Sequence, residues 1–298
     1  MLLSTATRCR SGRADRSAME ILRTVDELRR WSRAQHRAGE SVGLVPTMGA
    51  LHEGHASLIR AAASSCTRVA VTIFVNPTQF GPSEDYARYP RTFDADCALA
   101  EREGAHVIFA PVVDEIYPEG ATTFVDVEGL SERLDGEFRP GHFRGVATVV
   151  TKLFIAAEAD RAFFGQKDAA QVAVLRRMTS DLRIGTQIVA CPIVREADGL
   201  AMSSRNVYLS ADERGRALVL SRAMKRVEEL AMAGERGARA LIGAAREVFD
   251  AEPSVRVEYI EIVDWATLAP VETAAPGMLL AVAAWVGETR LIDNTILQ

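Results

Sequence analysis

The sequence predicts a doubly wound α/β domain followed by a smaller α+β domain, and three observations carry that prediction. Between residue 19 and about residue 195, short runs rich in Val, Ile and Phe alternate with helical patterns. Those runs are nearly continuous in apolar residues, as strands are when helices cover both faces of a parallel sheet. After about residue 196 the order changes to helices followed by strands, which marks an α+β unit. The length of 298 residues agrees, since about 100–200 residues make a domain.

The elements follow in order. Thr24 and Glu27 form a capping box, so a helix is expected from there to about Arg37, ending near Gly39. VGLVP (42–46) is a strand, followed by a helix from about Gly54 to Ser65 and the strand RVAVTIFV (68–75). A long loop leads to a helix over about 92–102, stopped by Gly104, and to the strand HVIFAP (106–111). TTFVDV (122–127) reads as a further strand. A helix over about 143–158, the strand RAFFG (161–165), a helix over 168–180 and the strand TQIVACPIV (186–194) complete the first domain. Ser210 and Glu213 make a second capping box, and Leu220, Met224, Val227 and Leu230 mark one apolar face of the helix that follows. A helix over about 236–250 and strands at 255–263, 278–286 and 289–294 close the chain. The division is therefore residues 19–195 as a Rossmann-like, doubly wound domain and 196–298 as a smaller α+β domain. Residues 1–18 are Arg- and Ser-rich with a single acid, Asp15; they read as a disordered extension, or as sequence upstream of a start at Met19. Transit peptides share that composition, whereas a secretory signal needs an apolar stretch that is missing.

Composition narrows the function. With 35 basic and 40 acidic residues and a net charge of −5, the chain lacks the basic excess of a nucleic-acid coat. No apolar run approaches 18 residues, so no membrane-spanning helix is expected. Cys9, Cys66, Cys97 and Cys191 show neither C-x-x-C spacing nor a histidine nearby, which fits a reduced, cytoplasmic compartment. Only three of the basic residues are lysines, namely Lys152, Lys167 and Lys225, so each is worth inspecting.

The common nucleotide signatures are absent. No two glycines stand two residues apart, which excludes G-x-G-x-x-G, and no lysine follows a glycine, which excludes a Walker A loop. His52 and His55 are three apart, not the four that H-E-x-x-H needs to place both on one helical face.

What remains lies at the carboxyl ends of strands, where open parallel sheets bind ligands. Strand 42–46 runs into Pro46-Thr47-Met48-Gly49-Ala50-Leu51-His52-Glu53-Gly54-His55, and strand 68–75 into Asn76-Pro77-Thr78-Gln79-Phe80-Gly81. Strand 161–165 delivers Gly165-Gln166-Lys167-Asp168, and strand 186–194 is followed by Met202-Ser203-Ser204-Arg205-Asn206. Any one of these is compatible with an ordinary connecting loop; together they define one rim. His52 and His55 bracket a glycine at a helix entrance, where free N–H groups and the positive dipole end favour a phosphate. Gly54 allows close backbone approach, or alternatively one histidine merely caps the helix. Lys167 and Arg205 supply charge against a triphosphate, and Ser203 and Ser204 add hydroxyl donors. Gln79 and Gln171 are neutral amides suited to a small polyol, and Gln171 lies one turn beyond Lys167 on the same helical face.

PTMGALHEGH, VNPTQFGPSEDYARYPRT, RPGHFRGVATVVTKLF, FFGQKDAAQ and MSSRN resemble, in order and spacing, the pantothenate synthetase (pantoate–β-alanine ligase) family. The likeness runs from about Met19 to the C-terminus and includes VEYIEIVDWATL and RLIDN. His52 to His55 and Met202 to Arg205 look like that family's versions of the HIGH and KMSKS signatures of a wider nucleotidyltransferase superfamily. The resemblance implies that ATP and (R)-pantoate form pantoyl adenylate and pyrophosphate, and that β-alanine then displaces AMP to give pantothenate. It implies that Met48, Gly49, Ala50, Leu51, His52, Glu53, Gly54, His55, Gly165, Gln166, Lys167, Asp168, Val194, Met202, Ser203, Ser204 and Arg205 hold ATP. Gln79 would contact pantoate and β-alanine, Gln171 would bind pantoate, and His55, His52, Lys167 and Arg205 would be catalytic. His55 is expected to stabilise charge first and donate a proton second. Asp96 matches an acidic position near Mg²⁺, Arg139 is a further charge partner or an interface residue, and a homodimer is implied.

Ala170 stands where the family often has a second glutamine, and Asp135 where it often has cysteine, the latter with no evident chemical consequence. Two other readings compete. A nucleotidyltransferase that stops at the first step, such as a cytidylyl- or adenylyltransferase, would want extra cations for a phosphorylated acceptor, whereas Gln79 and Gln171 favour an uncharged polyol with one carboxylate. A catalytically dead regulator would show erosion of His52, His55, Lys167 or Arg205. All four are present. The second domain is expected to close as a lid, carrying Arg205 and the serines onto the phosphates and excluding water.

Overall fold

The computed structural model describes residues 19–82 and 84–298, so the expectation for residues 1–18 lies outside the described residues. The described residues begin with β1 (Glu20–Leu22), α1 (Val25–Arg37), β2 (Val42–Thr47), α2 (Glu53–Ser65) and β3 (Arg68–Ile73). It continues through α3 (Phe93–Glu103), β4 (Val107–Phe109) and two single-turn helices, α4 (Val113–Ile116) and α5 (Asp135–Phe138). Next come α6 (His142–Ala157), β5 (Arg161–Gly165), α7 (Ala169–Asp181) and β6 (Gln187–Cys191). Thr24 caps α1 with the reciprocal Glu27 bond that its spacing predicts.

The six strands form one parallel sheet in the order β1-β4-β3-β2-β5-β6. From β2 the chain steps to β3 on one side and later returns to β5 on the other, so the strand order reverses between β2 and β5. A crevice opens at such a reversal, at the carboxyl ends of the strands. The PTMGALHEGH and GQKD segments leave from those two strands, and both therefore reach the same crevice. The apolar runs are buried as a doubly covered sheet requires: Val42, Leu44, Val45, Val69, Ala70 and Val71 have no exposed surface.

One expectation fails here, and one strand was missed. TTFVDV (122–127) is an irregular segment with most residues exposed, and Val125 donates its N–H to Thr148 Oγ1 (2.9 Å) instead of to a neighbouring strand. β4 is already flanked by β1 and β3, so no ladder is open to it there. β1, which pairs with β4, was not foreseen; three residues with Ile21 exposed carry no periodic signal.

The second unit contains α8 (Ala211–Met232), α9 (Ala238–Asp250) and the antiparallel strands β7 (Val255–Val263), β8 (Leu279–Val286) and β9 (Thr289–Ile296). Ser210 and Glu213 make the foreseen capping box on α8. The central strand β8 explains the apolar run there by facing two cores. Leu280, Val282, Ala284 and Val286 pack with α8 and α9, whereas Leu279, Ala281 and Ala283 join the core of the first domain. Polar ties accompany this packing. Trp265 Nε1 donates to Ala169 O (2.9 Å), and Arg290 lies 2.7 Å from Asp135 Oδ1. Asp135 thus has a structural role that its sequence context did not reveal.

Candidate active site

A cavity of about 230 Å³ opens at the reversal of strand order. The four expected segments all line it, with Met48, His52 and His55 after β2, Gln79 after β3, Lys167 and Asp168 after β5, and Met202 to Arg205 beyond β6, and α6 adds His142, Val146 and Val150. A second cavity of about 270 Å³ adjoins it between the two units and shares Arg139, Lys167, Asp168, Gln171, Ser203 and Arg205.

His52 is the N-cap of α2, and its Nδ1 accepts from Gly54 N (3.1 Å). His55 reciprocates, its Nδ1 accepting from His52 N (3.3 Å), and the ring centroids lie 4.2 Å apart. With both Nδ1 atoms accepting, each ring carries its proton on Nε2 and offers it as a donor. Two of the amides expected to meet phosphate are therefore occupied by imidazoles, and the free donors of this helix start include the ring Nε2–H groups. A Cβ on Gly54 would lie 2.8 Å from His52 Cε1, so this glycine makes room for a histidine ring.

Burial pushes the His52 pKa down to about 4, with nearby Lys167 adding to the effect. Burial, then His52 and Lys167, pushes His55 down to about 3. His142 is lowered to about 4 by burial and the Arg139 charge; its Nδ1–H donates to Gln79 O (2.8 Å) while Arg139 donates to its Nε2 (3.0 Å). These three rings are neutral at pH 7. Because each folded pKa lies below the ordinary 6.5, the unfolded chain binds more protons between that value and about 4. Stability is then fully present above pH 6.5 and lost as pH falls through that window. Urea unfolding midpoints should drop between pH 7 and about pH 5, by less in a His142→Gln chain. An unchanged midpoint over that range would contradict the neutral rings.

The cations are held differently from one another. Arg205 makes a bidentate contact to Asp85 (2.9 Å for both bonds), and Ser203 caps the short 3-10 turn that carries it. Ser204 Oγ is 3.1 Å from Tyr89 OH. Arg139 is likewise paired with Glu84, at 2.8 and 2.6 Å. Lys167 has a looser neighbour, Asp168 Oδ1 at 3.6 Å. The other two lysines serve elsewhere: Lys152 donates to Ile116 O (2.6 Å) and Lys225 is exposed on α8. Arg205 and the serines line the cavity.

Gln79 is oriented by Asn76, whose Nδ2 donates to Gln79 Oε1 (3.0 Å), while Gln79 Nε2 points at Met48 Sδ (3.0 Å). Asn76 is itself buried, with its Oδ1 accepting from Tyr117 OH (2.9 Å). Gln171 and Val194 also line the cavity. Gly49, Ala50, Leu51, Glu53 and Gln166 do not. Ala50 N and Leu51 N turn instead to the carboxylate of Asp96 (3.0 and 2.8 Å), which also accepts from Thr92 Oγ1 (3.0 Å). Asp96 is 2% exposed and does not line the cavity; its carboxylate shapes the loop before α2. Glu53 pairs with Arg60, and Gln166 Nε2 donates to Asn294 Oδ1 (3.2 Å). Asn76, Tyr89 and His142 line the cavity without having been assigned a role, although the VNPTQFGPSEDYARYPRT and RPGHFRGVATVVTKLF motifs contain all three.

The sequence model of the family described as Pantoate-beta-alanine ligase matches residues 20–296. The chain belongs to the pantoate–β-alanine ligase family. Among similar proteins, the pantothenate synthetase of Acidobacterium capsulatum is 62% identical over 257 residues, covering 86% of each chain. That of Koribacter versatilis is 56% identical over 280 residues, covering 94% of this chain and 96% of its own. The crystal structure of pantothenate synthetase from Thermus thermophilus superposes with a TM-score of 0.88 at 46% identity, over 93% of this chain and 99% of that one. The ligase of Francisella tularensis, crystallised with β,γ-ATP and β-alanine, gives a TM-score of 0.77 at 30% identity over 94% and 98% of the two chains. Among pantoate–β-alanine ligases this chain thus shares both the parallel sheet and the appended antiparallel unit.

Proposed function

We propose that this chain condenses (R)-pantoate with β-alanine at the expense of ATP, through pantoyl adenylate, in the cavity between β2 and β5. One observation carries the assignment of the site: two neutral imidazole Nε2–H donors, one loosely paired lysine and two amides line a single cavity at the reversal of strand order. In the first step a pantoate carboxylate oxygen attacks the α-phosphorus, the bond to the bridging oxygen breaks, and pyrophosphate leaves with the electron pair. Such a step needs no covalent enzyme group; it needs in-line placement and stabilisation of charge on the phosphates. Gln79 and Gln171 address the hydroxyls and carboxylate of pantoate, His52 and His55 donate to phosphate oxygens, and Lys167 with Arg205 and the serines receives the leaving pyrophosphate. In the second step the amine of β-alanine attacks the acyl carbon, AMP departs with the carbonyl C–O bond electrons, and the surplus amine protons pass to solvent.

Magnesium belongs to the same proposal. Magnesium is usually held by one or two carboxylates together with substrate phosphates. Asp168, half-exposed beside Lys167 at both cavities, is the carboxylate that would help to hold the ion. The bound ion would supply charge neutralisation on the phosphates.

The second unit, residues 196–298, is taken to shield the acyl adenylate from water, and the chain to act as a cytoplasmic homodimer, as the family resemblance implies. No helix of the described residues is long and apolar enough to cross a membrane.

The test separates this reading from an enzyme that stops at the adenylate. With ATP, magnesium and pantoate, pyrophosphate should appear only when pantoate is present, and added β-alanine should release AMP with pantothenate. Chelating magnesium should stop both. Absence of pantoate-dependent pyrophosphate would refute the proposal, and pyrophosphate without later pantothenate would favour the first-step enzyme.

A further inference from the structure

The last strand of the chain reaches the GQKD segment. Asn294, on β9 and 3% exposed, lies 127 residues from Lys167 in sequence. Its Nδ2 donates to Lys167 O (2.8 Å) and to Gln166 O (3.0 Å), and its Oδ1 accepts from Gln166 Nε2 (3.2 Å). Both donor hydrogens of this amide thus point at the two carbonyls that set the direction of the turn bearing Lys167. The turn has no side-chain cap of its own, since its N-cap is Gly165. The amide is itself held: Asp293 Oδ1 accepts from Asn294 N (2.8 Å). The Asp293 carboxylate is also paired with Arg195 at 2.7 and 3.0 Å. Arg195 pairs with Ala201 across the short hairpin that delivers Met202 to Arg205.

We propose that Asn294 is a positioning residue for Lys167, so that the C-terminal sheet determines where the phosphate-binding lysine stands. This rests on the ligase reading above, in which Lys167 meets the phosphates. A buried amide whose donors are shared between two adjacent carbonyls restrains both translation and rotation of that turn. A long, flexible lysine on an unrestrained turn samples many positions, whereas a fixed Cα narrows the reach of Nζ to the cavity. A displacement of about 1 Å at such a group costs about 100-fold in rate.

The experiment is a double-mutant cycle of Asn294→Ala with Lys167→Ala, read on pantoate-dependent pyrophosphate release and on ATP binding by titration calorimetry without pantoate. Asn294→Ala should lower kcat/KM for ATP by about 10- to 100-fold and weaken ATP binding. In the Lys167→Ala background the same change should have less than about a twofold further effect, because the group it places is gone. Equal proportional losses in both backgrounds would make Asn294 a general stabilising contact and overturn the proposal. Asn294→Asp, which keeps size and the acceptor toward Gln166 but turns an anion toward two carbonyls, is carried through the same cycle. If neither variant unfolds cooperatively, Asn294 serves folding and the positioning role is wrong. A wild-type chain that binds ATP but shows no pantoate-dependent pyrophosphate would sink the ligase reading instead, and the calorimetric cycle would still decide on Asn294.

Discussion

Replacing His55 by alanine should slow pantoate-dependent pyrophosphate release by about 10²–10³-fold, the usual loss when one preorganised donor to developing charge is removed. The expectation follows from how the ring is held. Its Nδ1 accepts from the His52 amide, which fixes the proton on Nε2, and burial keeps the ring neutral with a pKa of about 3. A neutral donor cannot give up a full positive charge in the reaction, so its effect should not titrate near pH 6.5. The rate should accordingly show no histidine inflection between about pH 5.5 and 8. The same substitution removes half of the cap on α2, which alone costs about 1 kcal/mol of stability. Measuring the unfolding midpoint beside the single-turnover rate separates the two effects. A variant with reduced stability and near-normal pyrophosphate release would show that His55 is only a cap.

Gly145→Ala should have an effect of comparable size and of the opposite sign to the one helix propensity suggests. Within a helix, alanine is favoured over glycine by about 1 kcal/mol. Here, however, the first turn of α6 lies against the Asn76 to Gln79 segment. A Cβ on Gly145 would stand 2.3 Å from Thr78 O and 2.7 Å from Gln79 N. Asn76 Nδ2 also donates to Gly145 O (3.2 Å), so the two backbones are tied as well as touching. Backbone cannot rotate away as a side chain can. The turn must move, and it carries Gln79. Overpacking of this kind costs about 1–3 kcal/mol, and displacement of Gln79 by about 1 Å should reduce kcat/KM for pantoate about 100-fold. ATP binding, measured without pantoate, should change far less. An unaltered pantoate KM with a raised unfolding midpoint would overturn this account.

The sheet and the rim of the site were legible in the sequence because both rest on local patterns. Buried parallel strands read as continuous apolar runs, and the polar segments that follow β2, β3 and β5 stand out against them. Capping boxes at Thr24 and Ser210 are contained in four residues, and both form. What escaped depends on partners distant in sequence. Asp96 reads as an acid near a metal, yet its oxygens meet amides 45 and 46 residues earlier. Asn294 and Asp135 have no local signature at all, since their partners lie across the interface of the two units. TTFVDV has strand composition, but composition cannot tell whether a sheet edge is free. The family resemblance supplied the names of residues expected around a nucleotide; it did not supply the histidine tautomers, which follow from the two local bonds at the start of α2.

The pairing of Arg139 with Glu84 and of Arg205 with Asp85 bears on selectivity among anions. Cells hold inorganic phosphate and sulfate at concentrations that would crowd any open guanidinium fork. Here both forks already face carboxylates, from neighbouring positions of one loop. A lone dianion would have to displace a bidentate partner and leave that carboxylate without its counter-ion, with no other contact to compensate. Under the proposed ligase reading a nucleotide would come to the same place joined to a base, a ribose and two further phosphates, and the displacement would be shared among their contacts. The arginines would then be screened from small ions in solution and respond to a reactant large enough to hold on elsewhere.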